Sequence, residues 1–152
     1  LMQAAISNQN AVFRFLVEKG ADINLSNRGG FCPMHFVAFS GEKELVELLI
    51  SKGAPVDSNN NISQTTPLNL AVGRGHKDVV ELLIAKGASV NSKDIRGNTP
   101  LLSAISGGYP DIAQLLLTKG AAIDEKDRMG STPLLMAALN GQKDMAELLI
   151  SK

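Results

Sequence analysis

Apolar and polar positions alternate along this chain in a helical rhythm that breaks at short, regular intervals. Val79, Val80, Leu82, Leu83 and Ile84 form an apolar face wide enough to need more than one packing partner, which predicts a helix buried on several sides. An acidic residue opens each segment of this type, at Glu44, Asp78, Asp111 and Asp144, where it faces the positive end of the helix dipole. Lys19, Lys52, Lys86 and Lys119 are placed in the last turn, each followed by a glycine that stops the helix. A shorter helix precedes each of these. It begins at Thr-Pro, threonine supplying a cap and proline lacking only an amide that would be unpaired anyway. In one instance it runs through Leu101, Leu102, Ala104 and Ile105 to Gly107 and Gly108. Ala4, Ala5, Ala38, Ala71, Ala104, Ala137 and Ala138 fall in these short helices and predict close helix approach. Stretches such as Ser89-Val90-Asn91 followed by Asp94-Ile95-Arg96-Gly97 predict hairpin-like loops.

The helix pair repeats. Thr-Pro-Leu begins at Thr66, Thr99 and Thr132, and a degenerate copy, Cys32-Pro33-Met34, lies 34 residues before the first. Gly-Ala keeps step at Gly20-Ala21, Gly53-Ala54, Gly87-Ala88 and Gly120-Ala121. A period of about 33 residues predicts a stacked array of small units that share one continuous core. The extra residue is expected in Ser58-Asn59-Asn60-Asn61, where a surface loop tolerates insertion.

From Gln64 through Thr66-Pro67-Leu68, Gly75-His76 and Gly87-Ala88 to Asn91, the third unit resembles an ankyrin repeat, and the resemblance covers essentially the whole chain. It implies an all-α solenoid, an ankyrin-repeat array of stacked helix-turn-helix units joined by β-hairpin-like loops. Five repeats are expected, at about 1–25, 26–58, 59–92, 93–125 and 126–152, with the first and last incomplete. The final helix, Met145 to Ile150, keeps the interior pattern. Gln3 stands in the register of Phe36, Leu70 and Met136, as a capping adaptation would. The chain is therefore expected to be a piece of a longer array.

Three positions depart from the family pattern. Only His35 keeps the signature histidine, while Asn69, Leu102 and Leu135 replace it and are expected to lose a polar link. Cys32 replaces the capping threonine, and Gln64 replaces the turn glycine found at Gly30, Gly97 and Gly130. The second and third repeats are expected to be locally weaker, a lost cap alone removing about 0.5–2 kcal/mol.

Composition narrows the functional classes. Fifteen basic and fifteen acidic side chains cancel, which removes the bulk electrostatic case for nucleic acid or an anionic membrane. Tryptophan is absent and tyrosine occurs once, so there are no stacking platforms for bases. One cysteine cannot form an internal disulfide, and no secretory leader pattern is present, so a cytoplasmic or nuclear setting is expected. His35 and His76 match structural positions of the family, a lone cysteine supplies no zinc set, and the glycines are explained by helix stops and turns. Asn24-Leu25-Ser26 and Asn61-Ile62-Ser63 read as turn asparagines rather than glycosylation sites. No catalytic residue, metal site or cofactor is expected, and the chain reads as non-enzymatic.

The resemblance implies a monomeric protein-interaction module that binds a protein or peptide on a concave surface made of loop tips and first helices. The matching positions of this chain that combine arginine with apolar anchors are Arg28, Phe31, Phe39, Ile62, Arg74, Ile95, Arg96, Arg128, Met129 and Leu139. Arginine beside large apolar groups is the composition of binding hot spots. It suits a partner with acidic and apolar side chains. A targeting or regulatory segment of a larger enzyme, channel or microbial effector is the alternative. A designed consensus array is disfavoured by the extra asparagine and the three replacements of the signature histidine.

Overall fold

A computed structural model describes all 152 residues. Ten helices form five antiparallel pairs: α1 (Met2–Ile6) with α2 (Asn10–Glu18), α3 (Pro33–Ser40) with α4 (Lys43–Ser51), α5 (Pro67–Gly73) with α6 (Lys77–Ala85), α7 (Pro100–Ser106) with α8 (Pro110–Thr118), and α9 (Pro133–Leu139) with α10 (Lys143–Ile150). The odd-numbered helices make one layer, each packing on the next, and α4, α6 and α8 pack in series behind them. Ala38, Ala71, Ala104 and Ala137 are wholly buried along the inner layer, where a larger side chain would push neighbouring helices apart. Ala138, expected to share that role, is exposed instead. Met34, Leu45, Leu49, Leu68, Leu83, Leu101, Ile105 and Leu116 fill a single core along the stack.

The threonine caps form as the sequence predicts. Oγ1 of Thr66, Thr99 and Thr132 accepts a bond of 3.2 Å from the amides of Asn69, Leu102 and Leu135 respectively. The expected weakness at Cys32 is offset from the other side, because His35 Nδ1 accepts from the Cys32 amide at 3.1 Å. Asn69 performs the same service, its Oδ1 accepting from the Thr66 amide at 3.0 Å and the Thr66 hydroxyl at 2.7 Å. The polar link within the cap is thus kept at Asn69. Lys19, Lys52, Lys86 and Lys119 are C-cap residues, one position past the last turn in which they were expected.

The connecting loops contain turns but no β-strand. Each of the four hairpin-like tips is closed by a backbone bond, from the amides of Asn27, Asn60, Asp94 and Asp127 to the carbonyls of Phe31, Thr65, Asn98 and Ser131. One further bond joins each tip to the next: Asn61 to the Gly29 carbonyl at 3.0 Å, Ile95 to Ser63 at 2.8 Å, and Arg128 to Arg96 at 2.9 Å. This close approach explains Gly30, with φ +78°, since a Cβ there would lie 2.5 Å from the Asn61 amide nitrogen. Gln64 adopts the same left-handed conformation, with φ +54°, and carries the strain that glycine avoids.

The extra residue enlarges the tip of the third repeat itself, a turn over residues 61–63. It is anchored by Asn60, which is only 1% exposed. Asn60 Oδ1 accepts from the Ile62 and Ser63 amides and the Ser63 hydroxyl, and its Nδ2 donates to the Thr65 carbonyl. The insertion is therefore held by a buried amide and is no loose surface loop.

Candidate protein-binding surface

Two successive tips place Arg96 and Arg128 side by side, since the Arg128 amide donates to the Arg96 carbonyl. Both side chains are exposed and neither enters an ion pair. The neighbouring carboxylates are occupied by their own turns. Asp94 Oδ1 accepts from the amides of Arg96 and Asn98 at 2.8 and 2.9 Å, and Asp127 Oδ1 accepts from those of Met129 and Ser131 at 2.9 and 2.8 Å. Lys93 is paired with Glu125, whereas Lys126 is in no ion pair. Gln64, Lys93, Asp94, Gly97, Lys126, Asp127 and Arg128 line a cleft of about 330 Å³ at these tips. Its lining carries three basic and two acidic side chains.

On the inner helices Phe39 and Arg74 meet. The Arg74 guanidinium lies over the Phe39 ring, 4.0 Å from its centroid, so two candidate residues from adjacent repeats form one preassembled cation–π pair. The Phe39 carbonyl is held from the same neighbouring repeat by His76 Nε2, which donates at 3.0 Å. Ile62, 66% exposed, reaches across the tips towards Gly29. Arg28, Ile95 and Met129 are exposed on their tips, Met129 at 91%, and Leu139 ends α9 at 73% exposure. Phe31 differs from the rest. It is half-buried, stacking edge-on against His35 at 5.5 Å and against Phe36 at 6.0 Å, so the fold uses it as a cover over the buried histidine.

A second cleft, about 290 Å³, opens on the inner helices between Gly73, Asn98, Leu102, Ser103, Ser106, Gly107 and Met136. Sequence reasoning passed over Ser103, Gly107 and Met136 as site residues. The signal was available: Ser103 stands in the half-buried register that Phe36, Leu70 and Met136 fill with bulk, and a serine there leaves space. Ser103 and Ser106 are also one helical turn apart, which puts both on the same face.

Cys32 and His35 make the one contact that looks like a nucleophile and its base, with Sγ 3.1 Å from Nδ1. Both are buried, and the other ring nitrogen, Nε2, donates to the Thr65 carbonyl at 3.2 Å. Burial holds the His35 pKa below its ordinary value, so the ring is neutral and serves as a cap and a link to the next repeat.

A family model of ankyrin repeats in three copies matches residues 1–94 and 87–152, and the chain belongs to the ankyrin repeat family. It is 40% identical over 52 residues to the human Notch-regulated ankyrin repeat-containing protein, covering 34% of this chain and 46% of that protein. The zebrafish Notch-regulated ankyrin repeat-containing protein A gives the same identity and coverage. The human transient receptor potential cation channel subfamily A member 1 is 35% identical over 77 residues, 45% of this chain and 7% of the channel. The chain thus spans less than half the length of each of these relatives. Ankyrin repeats are in general protein-interaction modules without enzymatic activity. No helix is long and apolar enough to cross a membrane.

Proposed function

We propose that this chain is a non-enzymatic scaffold or adaptor segment that binds an acidic, apolar segment of another protein, as a monomer, along the face made by the tips and inner helices. The observation that carries this reading is a pair of arginines without ion-pair partners on adjoining tips. Arg96 and Arg128 project from two tips fastened together, while the Asp94 and Asp127 carboxylates, still charged, are held in place by turn amides. A carboxylate approaching there meets guanidinium groups with unused N–H donors, which suit bidentate pairing. Arg28 and Arg74 extend the basic positions along the stack, and Phe39, Ile62, Ile95, Met129 and Leu139 supply apolar contacts. Phe31 contributes an edge of its ring. The proposal keeps the division into five repeats at about 1–25, 26–58, 59–92, 93–125 and 126–152.

Selection from a displayed random-peptide library tests the reading. The expected winners combine Asp or Glu with large apolar residues; winners without acidic residues would contradict it. A cytoplasmic or nuclear setting fits the free Cys32 and is part of the proposal. A second reading, a targeting or regulatory segment of a larger protein, is favoured by the alignment with the channel, which takes in only 7% of it.

A further inference from the structure

Five methionines are spread along the chain, and the fold treats them unequally. Met34 and Met145 are buried in the core, and Met2 and Met136 are half-buried. Met129 alone stands open to solvent, and at 91% it is the most exposed large apolar side chain of the protein. The one thiol, Cys32, is buried as well. An oxidant dissolved around the folded protein therefore meets one readily accessible sulfur.

That sulfur stands on the proposed binding face. Met129 has the register of Arg96 one repeat earlier, and the amide of each is held by the first carboxylate of its tip, Asp127 Oδ1 at 2.9 Å and Asp94 Oδ1 at 2.8 Å. The bond from the Arg128 amide to the Arg96 carbonyl fastens the two tips together. The thioether thus leaves a fixed turn, next to Arg128 in its own tip and in the register of Arg96 on the adjoining one. The turn uses the Met129 amide and the left-handed Gly130, with φ +81°, and makes no use of the methionine side chain. A flexible, polarizable thioether at such a place suits contact with apolar groups of varied shape.

We propose that Met129 is an oxidation-sensitive contact, at which a peroxide adds oxygen to the thioether and lowers the affinity of the tips for their acidic, apolar partner. An S–O bond forms as the O–O bond of hydrogen peroxide breaks; sulfur gives up two electrons, and the second peroxide oxygen leaves as water with both protons. The product is a polar sulfoxide, which has to shed bound water to enter an apolar contact. The buried methionines are untouched, so the fold survives and the change is confined to recognition. A sulfoxide reductase reverses it. The inference rests on the reading of the tips as the binding face.

Hydrogen peroxide is applied to the folded protein until singly oxidised chains predominate, and peptide mass spectrometry locates the oxygen. Met129 is expected to take it first, ahead of Met2 and Met136, with the melting temperature unchanged. A library-selected peptide without methionine or cysteine is expected to bind the oxidised protein about threefold or more weakly. Methionine sulfoxide reductase is expected to restore the affinity. Met129→Leu keeps an apolar side chain without the sulfur, and its affinity is expected to be unaffected by peroxide. Oxygen spread evenly over the methionines, equal affinity before and after oxidation, or an equal loss in Met129→Leu overturns the proposal. Arg96→Glu/Arg128→Glu separates it from the reading beneath it. If that reversal weakens binding and oxidation does not, this inference alone falls; if neither weakens binding, the tip reading falls with it.

Discussion

Asn69 stands where His35 stands one repeat earlier, and a single hydrogen bond separates them. His35 reaches the Thr65 carbonyl of the next repeat through Nε2, whereas the shorter Asn69 side chain leaves its Nδ2 buried without a partner. The equivalent carbonyl belongs to Asn98, directly before the Thr99 cap. Asn69→His is expected to restore the link and raise stability by about 1 kcal/mol. In a chain of this length that is a rise of about 2–4 °C in the melting temperature, read by circular dichroism; an unchanged or lower value contradicts the account. His35 itself makes stability depend on pH. Its pKa is held below 6.5 in the folded chain, so between the folded value and 6.5 the unfolded chain binds more protons and stability rises with pH. Stability attributable to His35 is therefore present above about pH 6.5 and lost as the pH falls below it. The urea midpoint is expected to drop from pH 7 to pH 5, and His35→Asn, which installs the arrangement of the third repeat, is expected to reduce that drop.

At the scale of the element, the tips and helix pairs show what the chain makes plain and what it conceals. Thr-Pro caps, glycine stops and apolar faces act over a few residues, so the helices and their order were legible directly. Side-chain hydrogen bonds between repeats join residues 29 to 37 positions apart, and no local pattern announces them. Asn60 looked like one of three loop asparagines, yet it is the buried anchor of the enlarged tip. Phe31 looked like a free anchor and instead covers His35. The binding surface was legible only in outline: the exposed positions follow from the repeat, but the Phe39–Arg74 pair and the cleft beside Ser103 depend on packing across repeats. Gln64 is a case where a departure from the repeat had a direct structural reading. It sits at φ +54° where three other tips have glycine, a conformation that disfavours a residue with a Cβ by about 1–2 kcal/mol. Glycine loses more entropy on folding, by about 0.5–1 kcal/mol. Gln64→Gly is accordingly expected to stabilise by about 1 kcal/mol or less in urea unfolding; a loss of stability would mean that the glutamine side chain has a role not seen in its contacts.

The molecule as a whole is a rigid row of tips and short helices whose two ends differ in chemistry. The tips carry guanidinium groups without ion-pair partners beside exposed apolar side chains, and in the opposite loops His76 and Tyr109 pack over Gly41 and Gly75 of the preceding repeats. A stack of this kind has no central pocket, and binding strength comes from several repeats contributing in register. Its weak point is that exposed charges alone are worth little singly, about 0.2–1 kcal/mol per pair, so the claim that the tips select an acidic partner requires them to act together. The measurement that tests this most directly is the affinity of a library-selected peptide for the unaltered chain and for Arg96→Glu/Arg128→Glu, by isothermal titration at physiological salt. The account predicts that the double reversal keeps its fold and weakens binding at least tenfold, about 1.4 kcal/mol. Equal affinity of the two proteins would contradict it.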